Sequence, residues 1–294
     1  MKIVKAITIS IFSIPFLYGG CLVDAHSVTQ KDTEAILSQM SHWDTDVRLA
    51  HISIIPENKL LKPRPLFVWL PPDYDSNTDS HYPVLYMQDG QNIWDDSDCC
   101  FRHGGWFMNK IARHLIMENI INPFIIVGIP NTSDRNTEYL QPSSPEDTSF
   151  PYVDFIINQV KPYIDSHYRT KPDADNTLIG GSSLGGIVSF WAAMYHPDIF
   201  SKSICMSSSF WIMEKNGDGA YVDAHKQVKI YLDSGTEGPS KDGMELTKKM
   251  ADHLRSKGWK DGVDLLYYQD VGREHNEESW RNRLDKPLIF FFGK

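Results

Sequence analysis

The sequence predicts an α/β fold: a mainly parallel central sheet with helices on both faces. Three observations predict it. Short apolar runs alternate with stretches of helical spacing along most of the chain. Strands interleaved with helices form a parallel sheet that must be covered on both sides. The 294 residues hold no internal repeat and no linker-like shift in composition, so one large domain is the simplest arrangement.

Each element has a local reason. Residues 47–55 alternate apolar and polar side chains, the pattern of a half-buried strand. Residues 65–70 form a second strand, stopped by Pro71 and Pro72, and residues 82–87 a third. These first strands follow one another hairpin-like, so an antiparallel start is expected. Residues 106–117 have helical spacing, and 123–129 is a continuous apolar strand closed by Pro130. Residues 152–168 read as a helix. Leu178 and Ile179 end a strand, and a helix runs on from Ile187. Residues 201–206 and 228–232 are two further strands. Residues 244–257 form a helix with apolar Met244, Leu246, Met250 and Leu254. The last strand is 263–268 and the last helix 280–292.

Composition narrows the function. The formal net charge is -9 and no basic stripe is present, which argues against a nucleic-acid partner. Lys2 and Lys5 precede an almost uninterrupted apolar run over residues 6–18, followed by Gly19-Gly20-Cys21. Residues 1–27 therefore read as an export signal, the run being short for a membrane span. Cys21 after two glycines is a candidate lipid-anchor site, with ordinary cleavage near Val23-Asp24-Ala25 as the alternative. The expected location is periplasmic, membrane-anchored or secreted. Residues 28–45 lead into a domain over 46–294. Cys99 and Cys100 are adjacent, a poor geometry for a mutual disulfide. Cys205 sits in a strand-like run and reads as a small core hydrophobe. No zinc spacing or His-Glu-x-x-His pattern occurs, so neither a metal nor a cofactor is expected. Asp95-Asp96-Ser97-Asp98 lacks the glycine and distal glutamate of a calcium loop.

The chemistry centres on Gly181-Ser182-Ser183-Leu184-Gly185, a G-x-S-x-G between a strand and a helix. A serine there stands on a sharp turn with its hydroxyl exposed, and the next N–H, that of Leu184, faces where an oxyanion would form. A serine needs a base, and the base an orienting acid. His196, His225 and His275 are the candidate bases downstream of Ser183. His196 lies roughly 18 Å along the helix, too far to serve. His225 precedes a strand, whereas His275 follows the last one. His275 is the expected base. Asp233, Glu237 and Asp242 are the acid candidates after the preceding strand. Glu237, at the loop tip, is preferred, and Asp233 is read as fixing a turn. The loop Gln88-Asp89-Gly90-Gln91-Asn92 supplies a second oxyanion donor, the Gln91 N–H.

These motifs resemble, in order, those of the esterase D and enterochelin-esterase-like family of α/β hydrolases. The stretches are Leu85-Tyr86-Met87-Gln88-Asp89-Gly90-Gln91-Asn92, Arg135-Asn136-Thr137-Glu138-Tyr139, Gly180-Gly181-Ser182-Ser183-Leu184-Gly185-Gly186, Ser207-Ser208-Ser209-Phe210-Trp211 and Glu274-His275-Asn276-Glu277-Glu278-Ser279-Trp280. The resemblance implies a serine esterase with Ser183 as nucleophile, His275 as base and an acid near Glu237. It implies a siderophore lactone or an acylated or feruloylated carbohydrate ester as substrate. The family also holds mycolyltransferases, so acyl transfer is the alternative activity. A non-catalytic binding protein on the same fold is the third. Many relatives carry the acid one residue after Glu237, where this chain has Gly238.

Trp94, Trp106, Phe210, Trp211 and Trp280 stand near the same sheet edge. They are candidates to clasp an aromatic acyl group or a sugar face, against packing beneath loops. Arg135 either pairs with Glu138 to brace the site loop or meets an anionic substrate.

Overall fold

The structure is a computed structural model of the whole chain. It describes the strand backbone at 16–18, 21–23 and 50–54, and residues 56–94, 104–140, 150–215 and 225–294. Most of the expected export signal, the 28–45 leader, the Asp95–Asp98 run, Cys99 and Cys100 lie outside the described residues.

A two-residue connection joins β1 (Phe16–Tyr18) to β2 (Cys21–Val23) as an antiparallel pair. The main sheet follows. Its strands are β3 (Ala50–Ile54), β4 (Arg64–Trp69), β5 (Val84–Gln88), β6 (Ile125–Ile129), β7 (Thr177–Ser182), β8 (Lys202–Met206), β9 (Lys229–Gly235) and β10 (Leu265–Asp270). The order across the sheet is β10-β9-β8-β7-β5-β6-β4-β3. The strands from β5 to β10 run parallel, while β4 is antiparallel to β6 and β3 to β4.

Residue alternation sorts the core into two layers. On β5, Val84 and Tyr86 join one apolar cluster while Leu85 and Met87 join the other. On β9, Ile230 and Leu232 face one layer and Tyr231 the opposite one. This is the period of two that a pleated strand imposes. Three helices cover the first face: α3 (Pro151–Phe155, continuing through Ile156–Val160 into Lys161–His167), α4 (Leu184–Tyr195) and α6 (Met244–Ser256). The second face is covered by α1 (Met108–Met117), α7 (Glu277–Asn282) and α8 (Asp285–Phe292). Two short helices, α2 (Arg135–Tyr139) and α5 (Trp211–Lys215), lie in loops.

Prolines explain two departures from the expected helices. The 152–168 stretch widens into a π turn at Ile156–Val160. Pro162 lacks an N–H and its ring crowds the carbonyl four residues earlier, so the ladder slips there. The expected 280–292 helix is broken at Arg283 and Leu284. Pro287 would abut the Arg283 carbonyl in an unbroken helix. That break turns the Arg283 side chain into the interior, where it is 1% exposed.

The direction of chain winding reverses at β5, since β6 lies on one side of it and β7 on the other. Ligands of such sheets bind at the carboxyl ends beside that reversal. The loop after β5 and the turn after β7 meet there.

Candidate active site

Ser183 alone joins β7 to α4, with φ 57° and ψ -122°. Such backbone in a non-glycine residue stores on the order of 1–3 kcal/mol and persists only when its surroundings fix it. Here they do. The Ser183 N–H donates to the Met206 carbonyl at 3.0 Å, and the Ser183 carbonyl accepts from Ser209 N–H at 3.1 Å. Glycine is required on both sides of the turn. A Cβ on Gly181 would lie 2.8 Å from the Gly185 carbonyl carbon, and one on Gly185 would lie 2.9 Å from Gln88 Cβ. Leu184 opens α4, so its N–H has no acceptor within the helix and sits at the positive end of the helix dipole. The Ser183 hydroxyl is partly exposed and approaches Ser209 Oγ at 3.5 Å.

The loop after β5 is built around Asp89. Its φ is 53°, its N–H donates to the Tyr139 hydroxyl at 3.2 Å, and the next N–H, of Gly90, donates to Ile129 O at 2.9 Å. Arg135 grips the Asp89 carboxylate through Nε at 2.6 Å and Nη2 at 2.7 Å, and Asn131 Nδ2 adds a third bond at 2.6 Å. Burial works against the Arg135 charge, but the Asp89 contacts outweigh it and raise its pKa. The Asn131 N–H donates to Gln91 Oε1 at 3.1 Å, tying the loop to the end of β6. Glu138, the expected partner of Arg135, binds Arg64 instead, at 2.9 and 2.5 Å. Arg135 is thus committed to Asp89 rather than left open to a substrate.

The structure brings a different carboxylate, Asp242, to the imidazole. His275 Nδ1 bonds Asp242 Oδ1 at 2.5 Å. Glu237 is exposed, and its N–H donates to the Arg273 carbonyl at 3.0 Å. The reason lies in Ser240, Lys241 and Asp242, three successive residues at φ 57°, 48° and 53°. This left-handed turn folds the chain back, so that the Gly235 N–H at the end of β9 donates to Asp242 Oδ2. Glu237 stays outside that curl. Asp233 also lies away from His275: it is buried and accepts from Arg283 Nη2 at 2.9 Å and from the Tyr231 hydroxyl at 2.8 Å. Burial opposes the charge on Asp242, but hydrogen bonds from His275, Ser207 and Gly235 prevail and hold it below the usual carboxylate range. The Asp242 side chain is 0% exposed and that of His275 38%. No hydrogen bond joins Ser183 to His275 among the described residues, although both follow strands on the same sheet edge.

Four of the aromatic candidates, Trp280 among them, prove to be core. Trp94 packs edge-on to Phe67, Trp106 lies 5.5 Å from Trp280, and Phe210 lies edge-on to Phe190. All four are buried, because each ring faces an apolar layer of the sheet. Trp211 differs, at 52% exposed. Trp280 stands 5.0 Å from the His275 ring. Cys205 is buried, and burial pushes its thiol up to about 12.

Such a fold and edge define an α/β hydrolase, and residues 58–291 match the family model described as "Putative esterase". The chain belongs to that esterase family. It is 22% identical over 240 residues to an uncharacterized protein, YbbA, of Bacillus subtilis, covering 77% of this chain and 92% of that one. It is 26% identical over 232 residues to an endo-1,4-beta-xylanase/feruloyl esterase of Xylanibacter ruminicola, covering 76% of this chain but only 29% of that protein. The enterobactin esterase FES of Shigella flexneri superposes with a TM-score of 0.65 at 18% identity, over 84% of this chain and 59% of that one. A ferulic acid esterase superposes with a TM-score of 0.64 at 20% identity, over 83% and 98%.

Proposed function

We propose that the protein hydrolyses a carboxylic ester through Ser183, His275 and Asp242. The observation that carries this reading is the strained Ser183 turn on the same sheet edge as a buried carboxylate bonded to an imidazole. Asp242 holds the Nδ1 proton of His275 and leaves Nε2 as the base. The proposed reaction has the Ser183 hydroxyl turn from Ser209 toward that nitrogen when substrate binds; catalytic hydrogen bonds often tighten only then. Ser183 Oγ attacks the ester carbon as its proton passes to His275. The carbonyl oxygen gathers charge against the Leu184 and Gln91 N–H groups. His275 then protonates the leaving alcohol. Water, deprotonated by the same imidazole, cleaves the acyl-enzyme and releases the acid.

The acyl portion we favour carries an aromatic ring. Trp211, exposed two residues beyond the Ser209 that touches the nucleophile, offers a face for it. Feruloyl and enterobactin esterases among the similar proteins support this choice. Ser183→Ala is expected to abolish p-nitrophenyl acetate hydrolysis with an unchanged circular dichroism spectrum. Full activity in that variant would remove the proposal. Methyl ferulate, an enterobactin-type trilactone and acetylated xylan, assayed with product identification, distinguish the substrate. Turnover of acetylated xylan alone would reject the aromatic preference.

A further inference from the structure

We propose that Ser207 is a positioning residue: its hydroxyl is held as a one-way donor to Asp242, which commits the other carboxylate oxygen to His275. The inference rests on the triad reading above, and Ser207 belongs to a motif to which that reading assigns no task.

Three polar groups surround Ser207 Oγ. Trp280 Nε1 lies at 2.9 Å, Arg283 Nη2 at 2.6 Å and Asp242 Oδ2 at 2.6 Å. Indole and guanidinium nitrogens only donate, whereas a hydroxyl has one proton and two lone pairs. The two donors occupy both lone pairs. The single proton of Ser207 has one remaining acceptor, Asp242 Oδ2. That oxygen also receives the Gly235 N–H. It is filled, and Oδ1 is left for His275 Nδ1. The hydroxyl therefore sets which oxygen faces the imidazole, and through it which ring nitrogen keeps its proton.

The donors are themselves fixed. Arg283 Nη2 carries two hydrogens, one for Ser207 Oγ and one for Asp233 Oδ1 at 2.9 Å. Asp233 Oδ1 also accepts the Ser207 N–H at 2.9 Å, which pins Ser207 at φ 41°. Arg283 and Asp233 are buried, so neither exchanges its partner for water. Asp233 thus aims Arg283, and Arg283 fixes the direction of the Ser207 hydroxyl. Among the described residues, the ionisable side chain bonded to His275 is Asp242. Behind it lie Arg283, 3.5 Å from Asp242, and the Asp233 and Asp270 carboxylates that share Arg283. Arg273 and Glu274 flank His275 on its own loop.

Two substitutions should move the imidazole in opposite directions. Ser207→Ala removes a donor from Asp242, makes the carboxylate more basic and favours the protonated ring. Asp233→Asn leaves the Arg283 charge less compensated beside Asp242 and disfavours it. The full chain, labelled with 15N-histidine, is titrated by NMR beside the same variants' pH profiles of kcat/KM for p-nitrophenyl acetate. We expect the His275 midpoint, and the acid limb of the profile, to rise about half a unit in Ser207→Ala and to fall about as far in Asp233→Asn. With Ser207→Ala, kcat should drop about tenfold with KM within about twofold. Unchanged midpoints in folded variants, or shifts of the same sign, overturn the proposal, since mere loosening has no reason to reverse sign. If Ser207→Ala does not fold, Ser207→Gly, which suits the positive φ at that position, decides alone: a rise supports the proposal, and no change or a fall ends it. The NMR readout needs no turnover. A protein that shows the opposed shifts yet hydrolyses no ester rejects the hydrolase reading and keeps the positioning role.

Discussion

The two halves of the site are braced in different ways. Beside β5 and β6, Arg135 is partly exposed and clamps Asp89 with two hydrogen bonds, and the clamped residue shapes a backbone turn. Beside β9 and β10, Arg283 is fully enclosed and distributed over Asp233, Asp242 and Asp270. Under the proposed mechanism the first half presents a backbone N–H in a fixed direction, which calls for geometry. Under the same proposal the second keeps a carboxylate ionised and an imidazole in one tautomer, which calls for tuned charge. A bidentate guanidinium fork suits the first task, and a shared buried cation suits the second. A second ion pair, Arg64 with Glu138, holds α2 to the start of β4.

Substitutions can break this contrast. The largest effect belongs to the charge-tuned half: Asp242→Asn should lower kcat by about a thousandfold or more, because an amide no longer enforces the Nδ1–H tautomer. Glu237→Gln in the same assay should stay within about twofold. A large loss there would return the acid role to Glu237. Next comes the geometric half. Arg135→Met leaves Asp89 without its fork, and kcat should fall on the order of tenfold to a hundredfold through a displaced oxyanion donor. Its pH profile should keep its shape; a displaced acid limb would show that Arg135 tunes charge as Arg283 does. The smallest effect concerns acid stability. The folded-state pKa of Asp242 is depressed. Its contribution is therefore present above the unfolded carboxylate range, near about pH 4, and drains away as pH falls through the folded value. Thermal unfolding from pH 6 to pH 2.5 should show a shallower acid-side decline for Asp242→Asn than for the unaltered chain. Parallel curves would deny that linkage.

Much of this architecture is legible along the chain. The alternation in β5 and the unbroken apolar run of β6 announce a sheet packed on both faces, and the glycines around Ser183 mark a turn that only small residues permit. His275 is reachable by its place after the last strand. Asp242 was among the acids within reach of β9, yet a loop-tip position favoured Glu237. Gly238-Pro239 and Gly243 bracket the left-handed curl at 240–242 and mark a turn, but not that it carries Asp242 back to the end of β9. Trp94, Trp106 and Phe210 show the opposite failure: aromatic rings near an edge look like ligand contacts until their burial is seen. The break at Arg283 had a visible cause in Pro287, although its consequence, a cation delivered to three carboxylates, did not.

Sequence by itself determined the strand and helix alternation, the turn at Ser183 and the histidine that follows the last strand. Those features depend on side-chain periodicity and on steric demands between near neighbours. Only the tertiary structure decided which carboxylate meets the imidazole and which groups stand behind it. Those partners come from the residue after β8, the β9–α6 loop and the α7–α8 break, and their meeting depends on loop curvature and on satisfying buried charges together.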